Sequence, residues 1–142
     1  MRKSLGAAGG LVLAALLAVG LAGQPAFGQA VTPDIDELKK TAVKVFLDCD
    51  SCDLDYIKTE ITFVNYVRDR LEAQVHVLIT TQATGSGGRE YTLTFIGQNE
   101  CRDLTDIQKY FSAQSDTEDD VRRGLVRTLK LGLMSYVGRT PI

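Results

Sequence analysis

The middle of the chain alternates hydrophobic and polar residues, which is the pattern of a half-buried β-strand. In the segment Tyr91–Gly97 the large apolar residues Tyr91, Leu93 and Phe95 alternate with Thr92 and Thr94. Val75–Thr81 alternates in the same way, but Leu78 falls among the polar positions. We therefore expect both faces of the sheet to be at least partly covered. The glycine-rich stretch Thr84–Gly88 predicts a hairpin loop, because glycine accepts the positive φ angles of tight turns.

A helical repeat of apolar residues occupies the last part of the chain. Between Val121 and Tyr136 these residues recur on one face of a predicted helix. Asp116 or Thr117 is expected to cap it, and the acidic first turn suits the helix macrodipole. Gly124 and Gly132 each cost about 1 kcal/mol relative to alanine. We expect such glycines to mark the close approach of a neighbouring backbone in the sheet.

Shorter segments complete the predicted secondary structure. Val43–Leu47 and Phe63–Val67 favour strands, and between them Asp53 can cap a short helix. Leu104–Ala113 fits a strand or a helical turn, and we favour the strand. The resulting order, β-α-β-β-β-(β)-α, predicts a single α+β domain over residues 43–142. Its mostly antiparallel sheet of four or five strands is expected to carry two helices on one face.

Residues 1–30 have the pattern of a secretory signal peptide. A basic start precedes the apolar run Leu11–Leu21, which is shorter than the roughly 20 residues of a membrane-spanning helix. Small residues predict cleavage after Ala30, with cleavage after Gly28 as the second choice and an uncleaved anchor as the alternative. We expect an exported protein, periplasmic or associated with the outer membrane, without a transmembrane helix after cleavage. Residues 31–42 are read as a leader with a short helical turn at Asp34–Lys40.

The charge of the chain argues against two classes of partner. The formal net charge is −2, and the loss of Arg2 and Lys3 with the signal peptide would lower it to −4. No run of basic residues is present. Nucleic acids and anionic membrane surfaces are therefore poor partners, since both require clustered positive charge. The chain after the signal is long enough for one core and too short for two.

Cys49 and Cys52 form a Cys-x-x-Cys motif between a predicted strand and a predicted helix, the local setting of a thioredoxin-type dithiol. Acidic neighbours disfavour a thiolate here. The prolines after the signal, Pro33 and Pro141, also lie too near the termini to face the motif as redox folds require. A structural disulfide is the default in an oxidising compartment. Because Cys101 is a third cysteine, Cys49–Cys52 and either pairing with Cys101 all remain open.

Four carboxylates crowd the same stretch: Asp48, Asp50, Asp53 and Asp55. They invite a calcium site, but the EF-hand pattern fails because Cys52 takes the third ligand position and no glycine follows. We read them as solvated, helix-capping groups, with weak calcium binding as the alternative. His76 and the cysteines make a poor zinc site. The glycine-rich loop lacks the spacing and the lysine of a phosphate loop, so we expect no cofactor and assign no catalytic residue.

Five stretches carry a resemblance to a known kind of protein: FVNYVRDR, VHVLITTQ, TGSGG, EYTLTFIG and DTEDDVRRGLVRTLKLGLMSYV. The region Val45–Pro141 resembles the N-terminal domain of uncharacterised bacterial envelope proteins, in which a small secreted domain precedes an apparent outer-membrane β-barrel. The segment around Cys101 departs from that pattern. The barrel-like remainder is missing from this sequence, which leaves a truncated form of a longer protein or a free-standing relative.

The resemblance implies a location and an architecture, and no chemistry. It favours an exported, non-enzymatic accessory or interaction domain, such as the periplasmic module of an outer-membrane protein. The implied partner is an outer-membrane or other envelope protein. Two alternatives remain, a thiol-active envelope protein that uses Cys49 and Cys52, and a weak calcium-binding module.

Overall fold

The computed structural model describes residues 35–140, apart from the side chains of residues 35, 37 and 38. The strands are β1 Lys44–Asp48, β2 Asn65–Tyr66, β3 Val75–Ala83, β4 Arg89–Gly97 and β5 Thr105–Ser112. The helices are α1 Ile35–Thr41, α2 Leu54–Glu60 and α3 Glu118–Val137, with 3₁₀ turns at Arg70–Glu72 and Asn99–Cys101. The predicted α+β class and element order are confirmed, and the ambiguous segment before α3 is a strand. The predicted signal peptide lies outside the described residues.

Consecutive strands are not always neighbours in the sheet, whose order is β2-β1-β3-β4-β5. The strand β1 runs parallel to β2 and to β3 over short stretches. The pairs β3–β4 and β4–β5 are antiparallel and run for most of their lengths. Antiparallel pairing therefore dominates, as predicted, and β1 separates β2 from β3. The short helix predicted within the leader is α1.

The core lies between one face of the sheet and the helices α2 and α3. The predicted inward residues of β3 and β4 are buried, as are Ile57 of α2 and the apolar stripe of α3 from Leu125 to Tyr136. These side chains form one cluster. The two helices therefore cover the same face, as the sequence predicts. Among residues 35–140, no helix combines the length and the apolarity that crossing a membrane requires.

Tyr136 attaches α3 to the sheet. Its hydroxyl donates to the backbone carbonyls of Phe95, at 3.1 Å, and Leu104, at 3.3 Å. Its ring stacks on the Phe95 ring at a centroid distance of 6.5 Å. Burial raises the pKa of Tyr136 to about 12, so the hydroxyl stays protonated and available as a donor.

The two glycines of α3 lie against aromatic rings, which corrects the prediction of a neighbouring backbone. A Cβ atom on Gly132 would collide with the ring of Phe95, and one on Gly124 with the ring of Tyr110. Each glycine therefore makes room for an aromatic side chain of the sheet. The sequence located the close approach correctly but not the group that makes it.

Candidate functional site

The Cys-x-x-Cys motif forms a disulfide in the loop between β1 and α2. Cys49 and Cys52 are bonded to each other, with their Cα atoms 5.7 Å apart, inside the usual range for disulfides. Cys101 is a buried free cysteine. Burial raises the pKa of its thiol, and the nearby Arg139 opposes part of that effect. Of the three pairings left open by the sequence, the structure contains Cys49–Cys52.

The acidic residues around the motif contact different neighbouring residues. Asp53 caps α2 by accepting from the Tyr56 amide at 2.9 Å. Asp48 lies 3.1 Å from the His76 ring, Oδ2 to Nε2. Neither of these two contacts involves Asp50 or Asp55. Within residues 35–140, no three His, Cys, Asp or Glu side chains group together in a way that could hold a metal ion. The calcium alternative therefore has no assembled site in this part of the chain.

A cleft of about 590 Å³ lies beside the disulfide. Four separate segments line it: the Cys52 loop, the β3–β4 hairpin, the end of β5 and the first turns of α3. Local sequence patterns gave no signal for this cleft, because its walls meet only through the tertiary fold. Its polar groups include Asp53, Arg89, Asp116, Glu118 and Arg122.

Several polar groups of the cleft already bind one another. The Arg122 guanidinium pairs with Asp119 at 2.6 Å and with Asp53 at 3.6 Å, and it lies 4.4 Å from the centroid of the Tyr56 ring. The Ser112 hydroxyl accepts from the Arg89 amide at 3.2 Å. These pairs connect the walls of the cleft to one another.

Removing the disulfide is expected to weaken the fold modestly. The double variant Cys49→Ala/Cys52→Ala should lower the free energy of unfolding by about 2 kcal/mol, because a bridge between residues only three apart closes a very short loop. Denaturant titration of the variant and the wild type measures the difference. The matched control is wild type under reductant, which should lose the same amount. If only the variant loses stability, the loss comes from the alanine substitutions and not from the missing bridge.

The other face of the sheet carries exposed apolar side chains at β5. Ile107 is 57% exposed and Phe111 is 60% exposed, whereas Tyr110 points to the helices and stacks on Tyr91. Farther along this face His76 is buried and meets the Phe46 ring edge-on, at 5.4 Å between centroids. On this face of the sheet, the large exposed apolar side chains are therefore those of β5.

The strand β5 also presents unpaired backbone groups along one side. No strand of residues 35–140 pairs with it opposite β4. The Gly97 amide donates to the Leu104 carbonyl at 2.8 Å, and hydrogen-bonded pairs alternate along an antiparallel ladder. Even-numbered residues of β5 therefore bond to β4, and residues 105, 107, 109 and 111 turn their backbone groups outward. The Ile107 amide fits this pattern, since it donates to the Asp106 carboxylate at 2.9 Å.

We call this surface the β5 edge: the outward backbone groups of residues 105, 107, 109 and 111 together with their side chains. The sequence placed Ile107 and Phe111 in a segment of uncertain structure and gave them no functional role. Comparisons with known proteins return no matching family model, no similar curated protein and no similar solved structure.

Proposed function

We propose that this chain is an exported, non-enzymatic interaction domain of the bacterial envelope, and that it binds an extended segment of a partner protein at the β5 edge. The edge is the observation that carries the proposal. A strand whose outward donors and acceptors pair with no other strand is a template for strand addition, in which backbone hydrogen bonds give affinity and side chains give specificity. The signal-like residues 1–30 and the resemblance to envelope proteins support the location.

The β5 edge has some of the features that protect a sheet edge and lacks others. Protected edges are short, carry proline or charged side chains such as lysine, point a charge inward, or lie beneath another element. The eight residues of β5 include no proline, and Ile107 and Phe111 are exposed. Lys109 is the outward charged residue, and it forms an ion pair with Glu90 of β4. A partner that covers this strand would remove the apolar side chains of Ile107 and Phe111 from water, which is favourable.

The cleft supports the non-enzymatic part of the proposal. Its best-placed cation, Arg122, already pairs with Asp119 and Asp53. Its hydroxyl, Ser112, is bound to the backbone of Arg89. These contacts join the loop of Asp53 to α3 and β5 to β4, so the groups have a structural role in holding the fold together.

Photo-cross-linking in producing cells tests the proposed surface. A photoreactive amino acid replaces Ile107 or Phe111 in the full chain, and the matched control replaces Leu71, which is 78% exposed and lies outside the sheet. We expect the two β5 positions to give discrete cross-linked species in the envelope fraction and Leu71 to give none. Equal cross-linking at all three positions, or none at the β5 positions, would contradict the proposal.

A second candidate function is a thiol-active protein, which the position of Cys52 in the wall of the cleft favours. A catalytic disulfide exchanges readily with a mild dithiol buffer and yields a thiol that reacts below neutral pH. Thiol counting with peptide mapping, in native and in denatured protein, measures both properties. We expect the Cys49–Cys52 bridge to stay intact in such a buffer. Ready exchange would instead favour the thiol-active function.

A further inference from the structure

The pattern of the β5 edge is complementary to itself. In an antiparallel pair, residues that face each other lie on the same face of the sheet and share the same hydrogen-bonding role. An outward residue of β5 can therefore face only another outward residue when two copies of β5 pair. This condition restricts a symmetric pair to a few registers.

The register centred on Lys109 fits the side chains best. It places Ile107 of each copy opposite Phe111 of the other, so that four exposed apolar side chains are covered. A register centred on Gln108 would place Ile107 against Lys109, and one centred on Tyr110 would place Phe111 against Lys109. Aromatic residues paired with β-branched residues across strands are favourable. Lys109 also lies near the middle of β5, so the strands overlap for almost their full length.

We propose that the partner at the β5 edge is a second copy of this chain, paired antiparallel about a two-fold axis at Lys109. The inference rests on the proposed function, because it specifies the occupant of the same edge. The two sheets would join into one continuous sheet, and an interface of identical surfaces is the commonest arrangement in dimers.

Two features of the edge oppose this pairing, and neither of them prevents it. The two Lys109 side chains meet at the axis, but each is already neutralised by Glu90 of its own chain. The Asp106 carboxylate accepts from the Ile107 amide, so it must move aside when the Phe111 carbonyl of the second copy replaces it.

Asp106→Ala is therefore expected to strengthen the association, because it leaves the Ile107 amide free.

Cysteine cross-linking tests the axis. In the full chain, Lys109→Cys would place two thiols opposite each other at a Cα separation of about 5.5 Å, which a disulfide can bridge. The matched control is Thr105→Cys, which lies on the same strand and face and is also exposed. In the proposed register the two copies of residue 105 are eight residues apart along the ladder, or about 26 Å.

We expect Lys109→Cys to form a disulfide-linked dimer at least 10-fold faster than Thr105→Cys, at equal protein concentration in an oxidising buffer. The free Cys101 is present in both variants, so it cannot account for a difference. Equal rates, or no dimer from Lys109→Cys, would overturn the register.

The association constant gives an independent measurement. Sedimentation of the wild-type chain over a range of concentrations is expected to show a monomer–dimer equilibrium, and Phe111→Lys is expected to weaken it at least 10-fold. Leu71→Lys, at an exposed site outside the edge, should leave it unchanged. A specific dimer is expected to form below a protein concentration of about 100 μM. A wild type that is still monomeric at that concentration would overturn self-pairing.

Failure of the inference can be distinguished from failure of the proposed function. If the wild type is monomeric and photo-cross-links from Ile107 and Phe111 join a different protein, self-pairing is overturned and the β5 edge remains a binding surface. If those positions give no cross-links at all, both are overturned. Cross-links between two copies of this chain, together with rapid closure of Lys109→Cys, would support both.

Discussion

Replacing Phe95 by alanine is expected to lower the free energy of unfolding by about 3–5 kcal/mol. Phe95 is fully buried in β4, where its ring fills the space between Gly132 and Tyr136 of α3. The smaller side chain leaves a cavity that rigid neighbours cannot close, and the stacked Tyr136 ring loses its partner. The backbone carbonyl that accepts from the Tyr136 hydroxyl remains.

Phe111→Ala is the matched control for Phe95→Ala, since it removes the same side chain from the same sheet. Phe111 is 60% exposed, so the dilute monomer should change in stability by no more than about 0.5 kcal/mol. Denaturant titration followed by circular dichroism measures both variants. Similar losses for the two variants would contradict the placement of Phe95 in the core and of Phe111 outside it.

Replacing Gly132 by alanine is expected to destabilise the fold by about 1–3 kcal/mol, although alanine normally favours a helix over glycine by about 1 kcal/mol. The added Cβ atom would collide with the Phe95 ring. That ring is completely buried and has no free space into which to move. The strain of overpacking therefore exceeds the gain in helix propensity.

Gly124→Ala tests the same collision at a site that can relax. Its Cβ atom would meet the Tyr110 ring, but Tyr110 is only partly buried and belongs to the outermost strand. We expect a loss clearly smaller than that of Gly132→Ala, or a small gain. Thermal and denaturant unfolding of the two variants measure the difference. A gain in stability from Gly132→Ala would contradict the tight packing of α3 on Phe95.

The elements that the sequence predicted well are those whose two faces differ strongly. In β4 the alternate residues Tyr91, Leu93 and Phe95 are large and enter the core, and α3 has one apolar stripe of the same kind. In β5 the pattern is weak because polar residues such as Asp106 and Gln108 face the helices while Ile107 and Phe111 face outward. The same feature makes β5 hard to predict and leaves two large apolar side chains exposed on it.

Features that depend on long-range contacts could not be predicted from local sequence patterns. The position of β1 between β2 and β3 follows from pairing across the sheet, which no local pattern encodes. The cleft beside Cys52 is built from four segments that are distant in the chain. The choice of Cys49–Cys52 over the pairings with Cys101 likewise depends on Cys101 being buried elsewhere.

Residue-resolved amide hydrogen exchange on the full chain tests the β5 edge as a binding surface most directly. In dilute protein the amides of Gln108 and Tyr110, which face β4, should exchange slowly, and those of Lys109 and Phe111 should exchange quickly. We expect exchange of the Lys109 and Phe111 amides to slow by 10-fold or more at high protein concentration, while exchange of the Gln108 and Tyr110 amides stays unchanged. Fast exchange of Lys109 and Phe111 at every concentration, and also after addition of the envelope fraction, would contradict it.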